Sequence, residues 1–344
     1  MTPNQSLLRS IFDMNGTASR KRGWLVFGIC TLATVAILVL ANTRPDLARW
    51  FFPVLGVLTA IQTIGVVQRL HDTGRSGYWS LVSIIPFMGT LATALVNALR
   101  PRPGSFTPPV HIWAQRAGYA ALWAFTALCC ARLFVGAYWI PSGSKKPALQ
   151  VGDYILVPFG SADSLQSGDV VVFRHPVTKT VFIKRLIALL GDTVQMQDGK
   201  LIVNGTALRQ TPQAPFIESS AAQGPAGHIP RCQQILQVTD EDCLKTQARE
   251  TLADGRSYMV LNITDTATSD TTIAQTVPPG HLFFMGDNRD NSFDSRFSPA
   301  MGGLGVVPFA NVIGRVLRIV FSSAGGSLLD IPTWRTDRYW RAVE

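Results

Sequence analysis

The pattern of hydrophobic and polar positions changes in character near residue 140. Before it, long uncharged apolar runs alternate with short basic loops, whereas after it short runs of alternating polarity are separated by turns. A helix needs about 20 apolar residues to cross a bilayer, and alternation with a period of two is typical of strands. We therefore predict an α-helical transmembrane domain followed by a mostly antiparallel β domain.

Four long apolar runs precede residue 140. The first could be mistaken for a cleavable signal, but further runs follow it, so we interpret it as a membrane anchor. The third contains Pro86 and Gly89, which favours a segment that does not cross fully. The four runs cover residues 23–41, 50–67, 78–98 and 117–131.

The second half of the chain predicts strands joined by turns such as Asp198-Gly199 and Asn204-Gly205. Residues 206–257 are rich in Gln, Ala and Pro, and we predict a peripheral insertion there. The predicted strands cover residues 154–158, 169–174, 181–190, 193–197, 200–203, 258–263, 281–286 and 312–321.

The composition agrees with a membrane protein and excludes some other classes. Of the 344 residues, 47% are hydrophobic and only 15% are charged, and the net charge is +9. Basic loops beside apolar runs fix topology and contact anionic lipid, and no helix–turn–helix or zinc-finger spacing indicates nucleic acid. No Cys-x-x-Cys motif or histidine cluster argues for a metal, so we expect neither a metal nor another cofactor.

Two segments together suggest a nucleophile and its base. Ser142-Gly143-Ser144 lies in a predicted turn that is rich in proline and glycine. Lys184 lies within an apolar run that has a strand pattern. A serine hydroxyl needs a base to take its proton. A lysine can be that base only if burial lowers the pKa of its ammonium group.

Four blocks of sequence, in this order, resemble those of bacterial type I signal peptidases (leader peptidases). The last block, residues 286–296, is long and peculiar to that family. The resemblance covers roughly residue 132 to the C-terminus, and it implies a membrane-bound endopeptidase that removes signal peptides from exported preproteins. The blocks are Pro141-Ser142-Gly143-Ser144 with Pro147, Leu149, Gly152 and Asp153; residues 168–173; Ile183-Lys184-Arg185 with Gly191-Asp192; and residues 286–296.

The resemblance implies a Ser–Lys dyad, in which Ser144 is the nucleophile and Lys184 is the general base. It also implies that the hydroxyl of Ser142 stabilises the oxyanion and that the hydroxyl of Ser292 orients the lysine amine. Salt bridges and a close backbone approach from the last block would support these groups. The supporting residues are Gly286, Asp287, Arg289, Asp294 and Arg296.

The implied substrate is a preprotein still anchored in the bilayer by its signal peptide. Small residues before the cleavage site suit shallow apolar pockets, and the peptide would bind in extended form along strand edges. Preproteins and the lipid bilayer are therefore the expected partners. The predicted pocket residues are Ile140, Pro141, Leu149, Phe182 and Ile183.

The resemblance also implies that the peptidase domain lies on the periplasmic side of the inner membrane. We expect a multi-span membrane domain over residues 1–109, a transmembrane anchor over 110–140 and the catalytic domain over 141–344. The positive-inside rule places three groups of basic residues in the cytoplasm. They are residues 20–22, Arg69 with Arg75, and Arg100 with Arg102 and Arg116. A periplasmic catalytic domain and cytoplasmic basic residues are compatible if the chain crosses the membrane three times and residues 78–98 form a re-entrant or interfacial segment. The alternative is an outside N-terminus with four crossings.

Two residues depart from the family pattern. Lys145 follows the nucleophile where methionine is usual, and Ala148 stands where threonine is common. Lys145 either points away from Lys184 or, if it lies close, helps to lower the pKa of Lys184. Two alternatives stay open: a self-cleaving Ser–Lys repressor-type protease, which the membrane spans disfavour, and a non-enzymatic protein with a degenerate peptidase domain.

The five cysteines divide between two environments. Cys30, Cys129 and Cys130 lie in apolar runs and are expected to be packed thiols. Cys232 and Cys243 lie in a polar segment, where an extracytoplasmic location would allow a disulfide.

The loop after the second apolar run has its own pattern, Arg-x-His-Asp-x-Gly-x-Ser-Gly at residues 69–77, followed by aromatic residues. It resembles a small bacterial inner-membrane family of unknown function, over about residues 8–100, and implies no known chemistry. His71 and Asp72 could bind a metal or carry protons. A loop cap and hydrogen-bonded turn at the membrane surface is the favoured interpretation.

Overall fold

The chain divides into two compact units, Met1–Phe134 and Val135–Glu344. The computed structural model describes residues 12–13, 17–44, 47–84, 88–100, 112–160, 164–233, 242–325 and 329–343. The division falls within the segment that we assigned to an anchor, because the helix of that segment packs against a helix of the first unit. The predicted boundary between residues 109 and 110 lies outside the described residues.

The described part of the first unit is helical, as its apolar runs predict. Among the described residues, the first two helices are long and apolar enough to cross a membrane, and they pack against each other. Ser19 caps the first helix by accepting a hydrogen bond from the N–H of Arg22 at 3.4 Å. The helices are α1 (Arg20–Thr43), α2 (Ala48–Asp72), α3 (Met88–Ala98) and α4 (Ile112–Ala131).

The third apolar run forms two short elements rather than one long helix. Its described residues are a 3₁₀ helix, Gly77–Ile84, and α3, which has 11 residues. A helix that crosses a bilayer needs about 20 residues. Neither element is long enough to cross alone.

The polar end of α2 forms an internal ion pair. Arg69 is fully buried, and its guanidinium donates to the carboxylate of Asp72 and to the carbonyl oxygen of Leu99. In the described part of the chain, no group of three or more His, Cys, Asp or Glu side chains could hold a metal ion. The ion pair therefore favours a structural role for Asp72.

The described residues of the second unit form antiparallel strands in four small sheets, as the alternating runs predict. In chain order the strands are β1 (Val135–Trp139), β2 (Asp153–Pro158), β3 (Val170–Arg174), β4 (Val181–Ala188), β5 (Thr193–Gln197), β6 (Lys200–Val203), β7 (Thr206–Ala207), β8 (Arg209–Ser219), β9 (Asp242–Thr251), β10 (Ser257–Asn262), β11 (Gln275–Thr276), β12 (His281–Met285), β13 (Val307–Pro308), β14 (Val312–Arg315) and β15 (Arg318–Ser322). Their orders are β1-β2-β15, β10-β9-β8, β11-β5-β6-β7 and β13-β12-β4-β3-β14.

Strand β4 is the centre of the five-stranded sheet. Lys184 stands opposite Val171 of β3, and Leu186 stands opposite Phe284 of β12. Alternate residues of a strand share a face, so Lys184 shares its face with Leu186, which is fully buried beside Phe284 and the stacked ring of Phe173. The sheet therefore holds the lysine against an apolar layer.

The segment 206–257, which we predicted to be a peripheral insertion, contains most of one small sheet. Its described residues form the sheet of β8, β9 and β10, and residues 234–241 lie outside the described part of the chain. Lys245 and Glu250 are completely or almost completely buried, and both make ion pairs. Strand β9 therefore contributes buried charged residues to the second unit, whereas β8 is mostly exposed.

The structure joins Cys232 to Cys243 by a disulfide. Cys30, Cys129 and Cys130 are free thiols, and Cys30 is buried.

Candidate active site

The serine turn follows strand β1. Main-chain hydrogen bonds from Ile140 N–H to Asp153 O and from Gly152 N–H to Ile140 O, both 2.9 Å, fix the approach to the turn. Residues Gly143–Lys145 then form one turn of 3₁₀ helix. Ser144 is half-buried, and its Oγ lies 3.4 Å from the Oγ of Ser142.

Lys184 lies on β4, is only 3% exposed, and donates from Nζ to the Oγ of Ser292 at 2.8 Å. Burial lowers the pKa of Lys184 from 10.5 to about 8; Asp294 and Asp287 oppose this shift and Arg296 adds to it. About one Lys184 in ten is therefore neutral at pH 7, against about one in 2,500 for an ordinary lysine.

Gly286 allows two parts of the site to touch. A Cβ atom at this position would lie 2.3 Å from Ser292 Oγ and 2.8 Å from the carbonyl oxygen of Ser144. Any side chain larger than a hydrogen would separate these groups. The structure thus places Gly286 where the resemblance implied close backbone approach.

Three buried arginine–carboxylate pairs contain the charged supporting residues that the resemblance implied. Arg185 binds both oxygens of Asp287 at 2.8 Å, and Arg296 binds Asp294 at 2.9 Å. Arg289 donates to both carboxylate oxygens of Glu250. Of these groups, Asp294 and Asp287 raise the pKa of Lys184, and Arg296 lowers it. Burial of the amine is therefore the main cause of the lowered pKa of Lys184.

Lys145 does not point into solvent. It is 1% exposed, and its Nζ lies 2.6 Å from Asp287 Oδ2. Burial places the pKa of Lys145 well below 10.5, with Arg185 and Lys184 lowering it further and Asp287 opposing them. The residue that departs from the family pattern is therefore part of the buried charge layer.

Four residues near the serine turn were missed by the sequence analysis. Lys146 pairs with Glu218, which also pairs with Lys245, and Lys146 Nζ donates to Gln223 Oε1 at 2.7 Å. The Nε2 atom of His228 accepts a hydrogen bond from Gly143 N–H at 3.2 Å. No local pattern could reveal these contacts, because Lys146 and Glu218 are 72 residues apart. The missed residues are Glu218, Gln223, His228 and Lys245.

A cavity of about 650 Å³ brings the predicted site residues together. Ser144 and Lys184 both line it, as do four of the five predicted pocket residues. The exception is Leu149, which is fully buried in the core with Ile155 and Val172, so its assignment to the pocket wall was wrong. The four predicted pocket residues that line the cavity are Ile140, Pro141, Phe182 and Ile183.

Comparisons with known proteins divide the chain in two. Residues 113–321 match the family model described as "Signal peptidase, peptidase S26". Residues 11–107 match the model described as "Protein of unknown function (DUF805)".

Individual relatives match the second part of the chain. Signal peptidase I of Pseudomonas aeruginosa is 31% identical over 233 residues, which cover 61% of this chain and 73% of that protein. Signal peptidase I of Rickettsia typhi is 30% identical over 235 residues, covering 58% and 79%. A crystal structure of signal peptidase I from Enterococcus faecalis is 22% identical and covers 44% of this chain and 96% of its own, with a TM-score of 0.23, too low to compare the folds.

Proposed function

The chain belongs to the signal peptidase family, peptidase S26, and from this premise we propose that it removes signal peptides with Ser144 as nucleophile and Lys184 as general base. Both family resemblances predicted from the sequence are confirmed. The enzyme is a membrane-associated serine peptidase, a hydrolase. The assignment of roles to individual residues is our proposal.

The observation that carries the dyad is the environment of Lys184. Its amine is buried, has a lowered pKa and donates to Ser292, and it lines the same cavity as Ser144. A neutral amine that donates one N–H to Ser292 still has its lone pair. That lone pair can accept the proton of a serine hydroxyl, which is what a general base must do.

In the proposed acylation step, Ser144 Oγ attacks the carbonyl carbon of the scissile bond while Lys184 takes its proton. The N–H of Ser144 and the hydroxyl of Ser142 stabilise the oxyanion; one such donor is worth about 3–4 kcal/mol in related reactions. The Lys184 ammonium then protonates the leaving amine, and the mature protein departs. Lys184, neutral again, activates the water that releases the signal peptide from Ser144.

Two strand edges beside the cavity suit an extended substrate. Strand β1 is the edge of its sheet. Strand β4 pairs with β12 only from Arg185 onward, so residues 181–184 have no partner strand on that side among the described residues. A peptide between these edges would gain main-chain hydrogen bonds on both sides. Signal-peptide-bearing preproteins are therefore the proposed substrates.

The full-length protein, purified in detergent, should cleave a preprotein with small residues before the cleavage site. Ser144→Ala, prepared in the same way, should leave that substrate intact, because the acyl-enzyme cannot form. The measurement is the appearance of the mature protein and its N-terminal sequence. An inactive wild-type protein would instead favour the degenerate peptidase domain.

We further propose that the protein is a multi-pass membrane protein of the bacterial inner membrane, with residues 141–344 on the periplasmic side and residues 110–140 as their anchor. The disulfide between Cys232 and Cys243 supports this location, because disulfides persist in oxidising compartments. In protein isolated from membranes with thiols blocked at lysis, mass spectrometry should find these two cysteines bonded. Two alkylated cysteines would contradict the location.

A further inference from the structure

The first N–H group of the serine turn is capped from a distant part of the chain. The leading N–H groups of a helical turn have no acceptor within the turn. Ser142 stands at the N-cap position of Gly143–Lys145, but its side chain makes no capping hydrogen bond. The acceptor is His228, whose Nε2 lies 3.2 Å from the nitrogen of Gly143. The two residues are 85 positions apart in the chain.

His228 is held in place by its own contacts. It pairs with Gln223 in a short antiparallel bridge, with main-chain hydrogen bonds of 2.9 Å in both directions. Gln223 in turn accepts from Lys146, which lies two residues after Ser144. His228 also lines the cavity beside Ser144. The segment 223–228 is therefore joined to the serine turn on both sides of the nucleophile, by His228 at Gly143 and by Gln223 at Lys146.

The close approach also explains a glycine in the turn. A Cβ at position 143 would lie 3.0 Å from His228 Nε2 and 3.5 Å from the side chain of Lys146. The main-chain carbonyl of Gly143 accepts from Asn288 Nδ2 at 3.1 Å. Both polar groups of Gly143 are thus used to hold the turn, and neither is available to substrate.

The hydrogen bond fixes the protonation state of His228. Only a neutral imidazole with its proton on Nδ1 can accept at Nε2. The charged groups that face it are Lys146 of the serine turn, Glu218 of β8 and Lys245 of β9. Burial lowers the pKa of His228 below 6.5; Lys146 and Lys245 add to this, and Glu218 opposes it.

We infer that His228 is a positioning residue of the proposed peptidase reaction. By capping Gly143, it holds the turn so that the next N–H, that of Ser144, faces the oxyanion. It acts through the main chain of Gly143 and does not itself exchange a proton with substrate. Protonation of Nε2 removes the acceptor and releases the turn.

Two substitutions of His228 in the full-length protein separate the cap from other roles. His228→Ala removes the acceptor and should reduce kcat on a preprotein about tenfold at pH 8.5, the effect of one lost hydrogen bond, with little change in KM. His228→Gln offers an amide oxygen as acceptor and should recover most of that loss, remaining about threefold below wild type. The inference would be overturned if kcat fell equally in the two variants, or if kcat of His228→Ala equalled that of wild type.

The pH dependence gives a second readout, because glutamine does not titrate. The ratio of wild-type to His228→Gln activity cancels the titration of Lys184. This ratio should fall from about three at pH 8.5 to below one once the pH is lowered past the pKa of His228, where the wild-type cap becomes protonated. A ratio that stays constant across the pKa of His228, as NMR measures it, would contradict a cap that depends on neutral histidine.

A measurement without substrate keeps this inference separate from the proposed function. The chain has five histidines, so NMR of histidine-labelled full-length protein can follow each imidazole, with His228 assigned by its loss in His228→Gln. At pH 7.5 its proton should be on Nδ1, and its pKa should lie below 6.5. A proton on Nε2, or a pKa above 6.5, would overturn the cap even if the enzyme cleaves preproteins. The expected result would support the cap even if the preprotein stays intact.

Discussion

Replacing Lys184 with arginine is expected to abolish cleavage at every pH. Arginine keeps the positive charge, but its guanidinium does not lose its proton in proteins and cannot take that of Ser144. Lys184→Ala and Ser144→Ala should be equally inactive, because each removes one member of the dyad. We expect kcat of the purified full-length protein to fall by about 10⁴-fold or more in each variant.

The matched control is Lys200→Arg, since Lys200 is an exposed lysine on β6. This variant should keep wild-type turnover, which shows that the exchange of lysine for arginine is harmless elsewhere. Circular dichroism of each inactive variant should match that of wild type. Turnover retained by folded Lys184→Arg or Ser144→Ala protein would eliminate the dyad.

Lys184→Met is expected to yield an inactive protein that is more stable than wild type near neutral pH. The difference between the ordinary pKa of 10.5 and the folded value of about 8 corresponds to a destabilisation on the order of 3 kcal/mol when the lysine is protonated. Loss of the hydrogen bond to Ser292 costs about 1 kcal/mol. The expected net gain at pH 7 is therefore about 2 kcal/mol, or several degrees in the melting temperature.

The pH dependence of this gain follows from proton binding. Between about pH 8 and 10.5 the unfolded state holds the Lys184 proton while the folded state has lost it. The stability of wild type therefore rises with pH across this window, and the full penalty is present below it. Activity should rise about tenfold per pH unit up to about pH 8 and then level off, because only the neutral amine is a base.

The stability gain can be measured by thermal unfolding of wild type and Lys184→Met in the same detergent. The two proteins are compared at pH 7 and at pH 10.5. The gap between the two melting temperatures should narrow at the higher pH. A Lys184→Met protein several degrees less stable than wild type at pH 7 would mean that the charged lysine is not buried at a cost.

Most of the strands could be predicted because their signal is local. Alternating apolar residues and Gly-containing turns indicated β2 to β6, β10 and β12 to within a few residues. The run 312–321 was predicted as one strand but forms two, since β14 pairs with β3 while β15 pairs with β2 in another sheet. Alternation alone does not show where a chain leaves one sheet for the next.

Strand β8 could not be predicted because it lacks an apolar face. It contains two prolines and is mostly exposed, and it lies at the edge of its sheet. An edge strand tolerates proline because one side of its backbone needs no partner. Its importance comes from Glu218, whose two lysine partners are buried by neighbouring elements.

The candidate site was predictable where family motifs carry it and not elsewhere. Ser144, Lys184 and Ser292 lie in blocks that resemble known peptidases. The environment of Lys145 and the cap of His228 depend on contacts across the fold, and single-sequence patterns hold no information on them. Leu149 was misplaced for the same reason: its motif position gave no indication of which way the side chain points.

The long separations within the site also set when the enzyme can first work during its synthesis. Ser144 is made before its proposed base, Lys184, and Lys184 contacts Ser292, which is 108 residues further along the chain. The pairs Arg185–Asp287 and Lys146–Glu218 span 102 and 72 residues. Contacts this distant form late, because the intervening chain must close around them. We therefore expect a nascent chain to lack peptidase activity until the segment that contains Ser292 has been made and has folded.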